Sequence, residues 1–374
     1  MKAPRVLVVT PSDGGLGGSE IMLAQFLASS KKAGIETHTI FLEQGDQLED
    51  LQKAGHSCEH IATGRLRNGL MWLRSMAIFG KVLLQHKPDM VIGWQSKAAS
   101  YVAIPAAVCG TPFFCFHRGS PGKSLIDRAS YVLPCSGFLS NSHFTAAKLK
   151  TFSKRRVAVV HSAVNLDLID QARKRSMADT KKMLGFDPER PLIGIVGRLQ
   201  RWKGMHVFLE AMALIIQKHP NCQGVVVGPE HALESDYPAL LESQIRQLGL
   251  GEQVRMVGGQ TNPAEWMQAM DVVVHASDEE PFGLVVAEAM ALGKPVIATA
   301  PGGPAEMITD AENGSLVSFG DAVFLAKAVE SFLENPAHAQ RCGVNARESA
   351  LQHDGAVYAS KVLTAIEGLK KART

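Results

Sequence analysis

Short apolar runs alternate with helix-like segments along the whole of this chain, and that alternation limits the folds open to it. In the first half, 5-RVLVVT-10, 37-THTIFL-42, 89-DMVIGW-94, 113-FFCFH-117 and 157-VAVVHS-162 have the length and β-branched or aromatic content of buried strands. Amphipathic segments near 19–33, 66–86 and 140–150 separate them. In the second half the strand candidates are 192-LIGIVG-197, 223-QGVVVG-228, 254-VRMVG-258, 271-DVVVHA-276 and 295-PVIATA-300. Helices are expected at 204–219, 236–248, 263–269, 284–292 and 321–334. Strands alternating with helices form parallel sheets from βαβ units, so the class is α/β. At 374 residues the chain exceeds what one core usually organises. Two doubly wound, Rossmann-like domains facing across a cleft are therefore expected, with ligands at the C-terminal ends of the strands. The polar stretch 166–190 reads as the connection between them.

Composition removes several classes. The chain is 46% hydrophobic and 20% charged, as an ordinary globular protein is. The start, 1-MKAPRVLVVT-10, lacks a secretion layout, and the longest apolar stretch, 101-YVAIPAAVCGTPFFCF-116, is interrupted by prolines and a glycine and is too short to span a bilayer. Cysteines at 58, 109, 115, 135, 222 and 342 form no C-x-x-C pair and read as reduced thiols of a cytoplasmic protein. The net charge of +3 is unevenly placed: residues 1–165 hold 19 Lys and Arg against 10 Asp and Glu, and residues 166–374 hold 20 against 26. The basic half favours an anionic partner, a membrane surface or an acidic acceptor. No basic-aromatic module supports nucleic-acid binding.

Five stretches carry candidate chemistry. In 10-TPSDGGLGGSE-20 glycines precede a helix start, where backbone N–H groups can meet an anion. Glu20 stands where a dinucleotide fingerprint would need glycine, and no Walker pattern exists. A tight turn without a ligand fits the same residues. In 197-GRLQRWKG-204, Arg198 offers a planar fork and Lys203 a point charge at a strand end, enough to neutralise a diphosphate; alone, the stretch reads as a solvated basic loop. In 280-EPFGLVVAEAMALGKPV-296, Glu280 precedes a Pro-Phe-Gly turn, and Glu288 lies in the helix that Gly293 ends. Carboxylates accept hydrogen bonds, so two of them suit a polyhydroxylated ligand. In 115-CFHRGSPGK-123, His117 closes an apolar strand, the position of many structural histidines, and Arg118 and Lys123 add charge where an acceptor would enter. In 65-RLRNGLMWLRSMAIFGKVLLQHK-87, Arg67, Arg74 and Lys81 fall on one helical stripe. Leu66, Leu70, Leu73, Ala77 and Leu84 are expected to face the core, with Trp72, Met76, Phe79 and Leu83 toward the surface. Such a helix can lie on an anionic membrane, and a solvated domain face fits the same pattern.

Taken together, Gly17-Gly18-x-Glu20, Arg198 with Lys203-Gly204, Glu280-x7-Glu288 within PFG…EAMA, 302-GGPAEMI-308 and 313-NGSLV-317 resemble the retaining nucleotide-sugar glycosyltransferases of family 4, which have the GT-B fold. The resemblance covers essentially the whole chain. It implies an acceptor-binding domain at 1–165, with a C-terminal helix near 355–374 packing back on it, and a donor domain at 166–354. It implies that Glu288 binds the ribose, that Glu280 and His117 meet the donor sugar, and that Arg198 and Lys203 clamp the diphosphate. The donor set is completed by Gly17, Gly18, Phe282, Gly283 and Leu284, with the base near Gly258, Gly259 and Gln260. Glu20, Arg118 and Lys123 fall on the acceptor side. A UDP-sugar is the expected donor, and a lipopolysaccharide core or other cell-envelope glycan the expected acceptor, at the inner face of the cytoplasmic membrane. No cofactor is implied. No D-x-D occurs, in keeping with a metal-independent mechanism. The chain departs from the family at 162-SAVN-165 and at His275, which replaces a common proline. A nucleotide-sugar epimerase of similar fold and a catalytically silent nucleotide-sugar-binding protein are the alternatives.

Overall fold

The computed structural model describes residues 3–11, 17–64, 66 and 68–371. Residues 12–16 of the first glycine-rich stretch, and Arg67 of the basic stripe, lie outside these. Two compact units emerge: Met1–Ala163 with Gly355–Thr374, and Val164–Asp354.

The first unit holds a parallel sheet of β1 (Arg5–Thr10), β2 (Glu36–Phe41), β3 (Cys58–His60), β4 (Met90–Trp94), β5 (Phe113–His117), β6 (Gly137–Ser140) and β7 (Val157–Val159), in the order β3-β2-β1-β4-β5-β6-β7. In the second unit β8 (Leu192–Val196), β9 (Gln223–Val227), β10 (Val254–Met256), β11 (Val272–His275), β12 (Val296–Ala300) and β13 (Ser315–Ser318) run β10-β9-β8-β11-β12-β13, again all parallel. Each order reverses once, between β1 and β4 and between β8 and β11. That point opens a crevice beyond the strand ends. The continuous apolar character of the strands follows from burial on both faces. Ile193 and Ile195 join one core cluster, whereas Leu192 and Val196 of the same strand join another.

The short strands β3, β6 and β13 have no counterpart in the sequence reading; three or four residues are too few to show a period. The helix Ser96–Val108 was also missed, because it is apolar all round and contains Pro105. The stretch 166–190 is more than a connection. It forms the helices Leu166–Arg173 and Met177–Met183, capped by the side chains of Asn165 and Ser176, inside the second unit. Its buried Lys181 pairs with Asp271 at 2.7 Å.

The helix Gly69–His86 presents the opposite face from the one expected. Phe79, Val82, Leu83 and Ser75 are buried, and the Trp72 indole donates to the Ser100 carbonyl of the neighbouring helix at 2.7 Å. Leu70, Leu73 and Leu84 are 80%, 54% and 65% exposed. Two apolar arcs compete on this helix, and the unforeseen helix Ser96–Val108 selects the one that becomes core.

The helix Tyr358–Lys371 belongs to the first unit, and Arg118 ties it down. The guanidinium donates to Tyr358 Oη at 2.8 Å and to Ser162 Oγ at 2.9 Å, and lies 5.0 Å and 4.8 Å from the ring centres of Trp94 and Phe116. This buried charge has an internal role, unlike the open acceptor-side cation expected from sequence. Tyr358→Phe removes one of its partners. The expected result is a loss of about 1–3 kcal/mol in urea unfolding, the range for leaving a buried polar group unsatisfied.

Candidate active site

At the switch point of the second sheet, the loops following β8 and β11 are locked together. After β8 the chain makes a single turn, Arg201–Lys203, and reverses at Gly204. Gly204 has φ +71°, and a Cβ there would lie 2.0 Å from the Ala276 carbonyl oxygen just beyond β11. Only glycine allows this approach. The Asp278 N–H then donates to the Trp202 carbonyl at 2.7 Å, fixing one loop on the other.

This lock brings Lys203 to Glu280. The ammonium donates to Glu280 Oε2 at 2.5 Å, and the ammonium nitrogen lies 4.0 Å from the Trp202 ring centre. His275, which ends β11, places Nε2 3.1 Å from the same oxygen. Burial alone would push the Glu280 carboxyl up. The charge and hydrogen bonds of Lys203 and His275 outweigh that and hold it far below the usual carboxylate range. The Glu280 carbonyl accepts from Gly303 N–H at 2.8 Å. From sequence, His275 stands out only as a departure from a family pattern. A histidine at a switch-point strand end, five residues before a glutamate, was the signal available for its part in the site.

Past Glu280, Phe282 is buried and Gly283, at φ +89°, opens the helix Leu284–Leu292, which Gly293 ends at φ +79° as expected from sequence. Glu288 lies on this helix, half-buried, with no hydrogen-bond or ion partner among the described residues. Burial pushes its carboxyl up to about 7. Arg198, at the start of the β8 loop, is also half-buried, and its side chain has no partner among the described residues. After β10, Gly258 (φ +67°) accepts from Gly228 N–H at 2.9 Å, Gly259 abuts Pro229, and the Gln260 amide folds onto the Val257 carbonyl at 2.7 Å.

The remaining candidates are in the first unit. Gly17 precedes the helix Gly18–Lys32, whose first turn holds buried Glu20. The Ser19 carbonyl and hydroxyl accept from the side chains of Trp94 and Gln95 at 3.1 Å and 2.6 Å, pinning the helix start to the end of β4. His117 closes β5, buried between Tyr131 and the edge of Phe138, with no partner for Nε2 among the described residues. Burial pushes its imidazole down to about 4 against the opposing charge of Asp127. Lys123 is exposed.

A family model described as Glycosyltransferase Family 4 matches residues 16–168, and one described as Glycosyl transferases group 1 matches residues 176–349. The chain belongs to this family of glycosyltransferases. It is 34% identical over 188 residues to a D-inositol 3-phosphate glycosyltransferase of Corynebacterium urealyticum, covering 49% of this chain and 44% of that one. It is 32% identical over 222 residues to the lipopolysaccharide core biosynthesis mannosyltransferase LpsB of Rhizobium meliloti, covering 57% and 58%. The chain spans about half the length of the curated relatives it matches. The crystal structure of Anabaena HepE in complex with UDP superposes with a TM-score of 0.84 at 23% identity, over 97% of this chain and 100% of that one. A Rickettsia africae glycosyltransferase gives 0.86 at 19%, over 99% and 100%. The fold is GT-B.

The raised Glu288 carboxyl has a consequence for stability. A folded-state value near 7, against an ordinary 4.5, means the stability of the neutral form is present below the ordinary range and is lost as pH rises through 7. Glu288→Gln escapes that loss. It should melt at the wild-type temperature near pH ~4 and above it near pH ~8. A pH-independent difference would contradict the assigned burial.

Proposed function

We propose that this protein is a retaining, metal-independent glycosyltransferase that transfers a sugar from a UDP-sugar to an anionic, cell-envelope acceptor such as a lipopolysaccharide core. The observation that carries the reading is the charge arrangement at the β8–β11 switch point. Lys203 is already paired with Glu280, while Arg198 and Glu288 nearby in sequence have no partner among the described residues. Two cations suit a diphosphate, and an unpaired carboxylate on the following helix suits ribose hydroxyls.

In this reading Arg198 and Lys203 stabilise the charge that develops as the diphosphate departs. Glu280 accepts from the sugar hydroxyls. The acceptor hydroxyl attacks the anomeric carbon on the face that UDP leaves. The bond from that carbon to the phosphate oxygen breaks, the new glycosidic bond forms, and the acceptor proton passes to the departing diphosphate. Configuration is retained without a covalent enzyme intermediate. His117, also assigned to the sugar, is neutral at pH 7 and acts there through a ring-nitrogen hydrogen bond.

The curated relatives support an acceptor of this kind. One is named for inositol 3-phosphate and the other for lipopolysaccharide core. The basic residues 1–165 favour the same charge class. The exposed Leu70, Leu73 and Leu84 share their helical stripe with exposed Arg74 and Lys81, which suits the surface of an anionic bilayer. No helix among the described residues is long and apolar enough to cross one.

Arg198→Ala should lower kcat/KM by about 100-fold or more, in line with removal of a donor to transition-state charge. Wild-type turnover would refute the clamp, and an inverted product anomer by NMR would refute retention. In flotation with phosphatidylglycerol-containing vesicles, wild type should float and Leu70→Ser/Leu73→Ser should sink. Equal flotation of the two would remove this face as the contact.

A further inference from the structure

His275 has no part in the donor-site reading, yet it makes close contact with that site. It is buried, with Nε2 3.1 Å from Glu280 Oε2, the oxygen that also takes Lys203. Ser277 Oγ lies 3.0 Å from the same nitrogen, and Thr299 donates its hydroxyl to the Ser277 carbonyl. Nδ1 is buried, with no hydrogen-bond partner among the described residues.

These contacts fix the role of Nε2. An ionised carboxylate only accepts, so Nε2 must carry the proton directed at Glu280. Ser277 Oγ, on the same side, accepts a share of the Nε2 proton. His275, at the end of β11, is therefore a second donor to Glu280 beside Lys203.

Lys203 has two tasks that conflict. In the free protein it neutralises Glu280, and in the proposed donor complex it faces a diphosphate. Leaving a buried carboxylate with no partner is strongly unfavourable, so a pair made by Lys203 and Glu280 alone would resist opening. We propose that His275 is a positioning residue that makes Lys203 exchangeable, holding Glu280 in place while the ammonium turns toward the nucleotide diphosphate. This rests on the donor-site reading above. It adds a device to that site, in which one carboxylate oxygen carries two donors so that one of them can be lent.

The test is a mutant cycle read by calorimetry with UDP, GDP and ADP in EDTA, using the diphosphate that wild type binds. His275→Leu keeps the bulk and removes the donor, and should weaken binding about fivefold, within the coupling range of contacting residues. His275→Gln carries an N–H near the Nε2 position and should recover affinity to within about twofold of wild type. In a Glu280→Gln background no carboxylate competes for Lys203, so His275→Leu should make no difference. A purely structural histidine would instead weaken binding equally in both backgrounds. That outcome, or wild-type affinity in His275→Leu, overturns the proposal, as does a failure of His275→Gln to recover. Should His275→Leu not fold, His275→Asn, whose amide N–H falls at the Nδ1 position, takes its place with the same expectations. Lys203→Ala separates the two levels. If it binds like wild type, or if wild type binds none of the three, the donor site itself is wrong and this inference goes with it. If Lys203→Ala binds weakly and His275→Leu binds like wild type, only the role of His275 is wrong.

Discussion

The largely buried ion pair between Lys203 and Glu280 is the interaction on which the second unit's site depends. Its two members come from loops after β8 and β11, strands that are neighbours in the sheet but about eighty residues apart in the chain. Placing them on one oxygen requires the backbones of those loops to touch, which is why Gly204 sits against the Ala276 carbonyl and the Asp278 N–H reaches Trp202. A pair this buried gains little net stability from its Coulomb energy, because desolvation opposes it. It places a cation and a carboxylate at the mouth of the switch point, where GT-B folds and other doubly wound sheets leave a crevice.

The contrast with Glu288 is informative. Glu280 is buried and Glu288 half-buried, yet their carboxyls shift in opposite directions. Glu280 has Lys203 and His275 as donors and stays ionised, whereas Glu288 has none among the described residues and is pushed up to about 7. Two carboxylates eight positions apart are thus tuned differently by the donors beside them.

Much of this was legible in the sequence where local chemistry dictates local structure. The apolar strands of both sheets, the Pro-Phe-Gly turn, the helix from Leu284 to Gly293 and the residues Lys203 and Glu280 all stand out from pattern and turn chemistry. What was not legible depended on tertiary partners. The exposed face of the helix Gly69–His86 was misassigned because its partner, the helix Ser96–Val108, has no polar face to announce it. Arg118 looked like an open cation, and only the return of the chain at Tyr358, 240 positions later, shows it to be internal. The polar run at 166–190 hid two short helices whose buried sides are narrow. His275 was visible, but its meaning lay in a contact with Glu280 that no single-position reading supplies.

In the proposed function, Val164–Asp354 holds a nucleoside diphosphate with its own cations and no metal. The most direct measurement is calorimetric titration of the intact protein with UDP, GDP and ADP in EDTA. One-to-one binding of UDP in preference to the other two is the expected result. No binding heat from any of them, or binding that appears only when a divalent metal is restored, would contradict it.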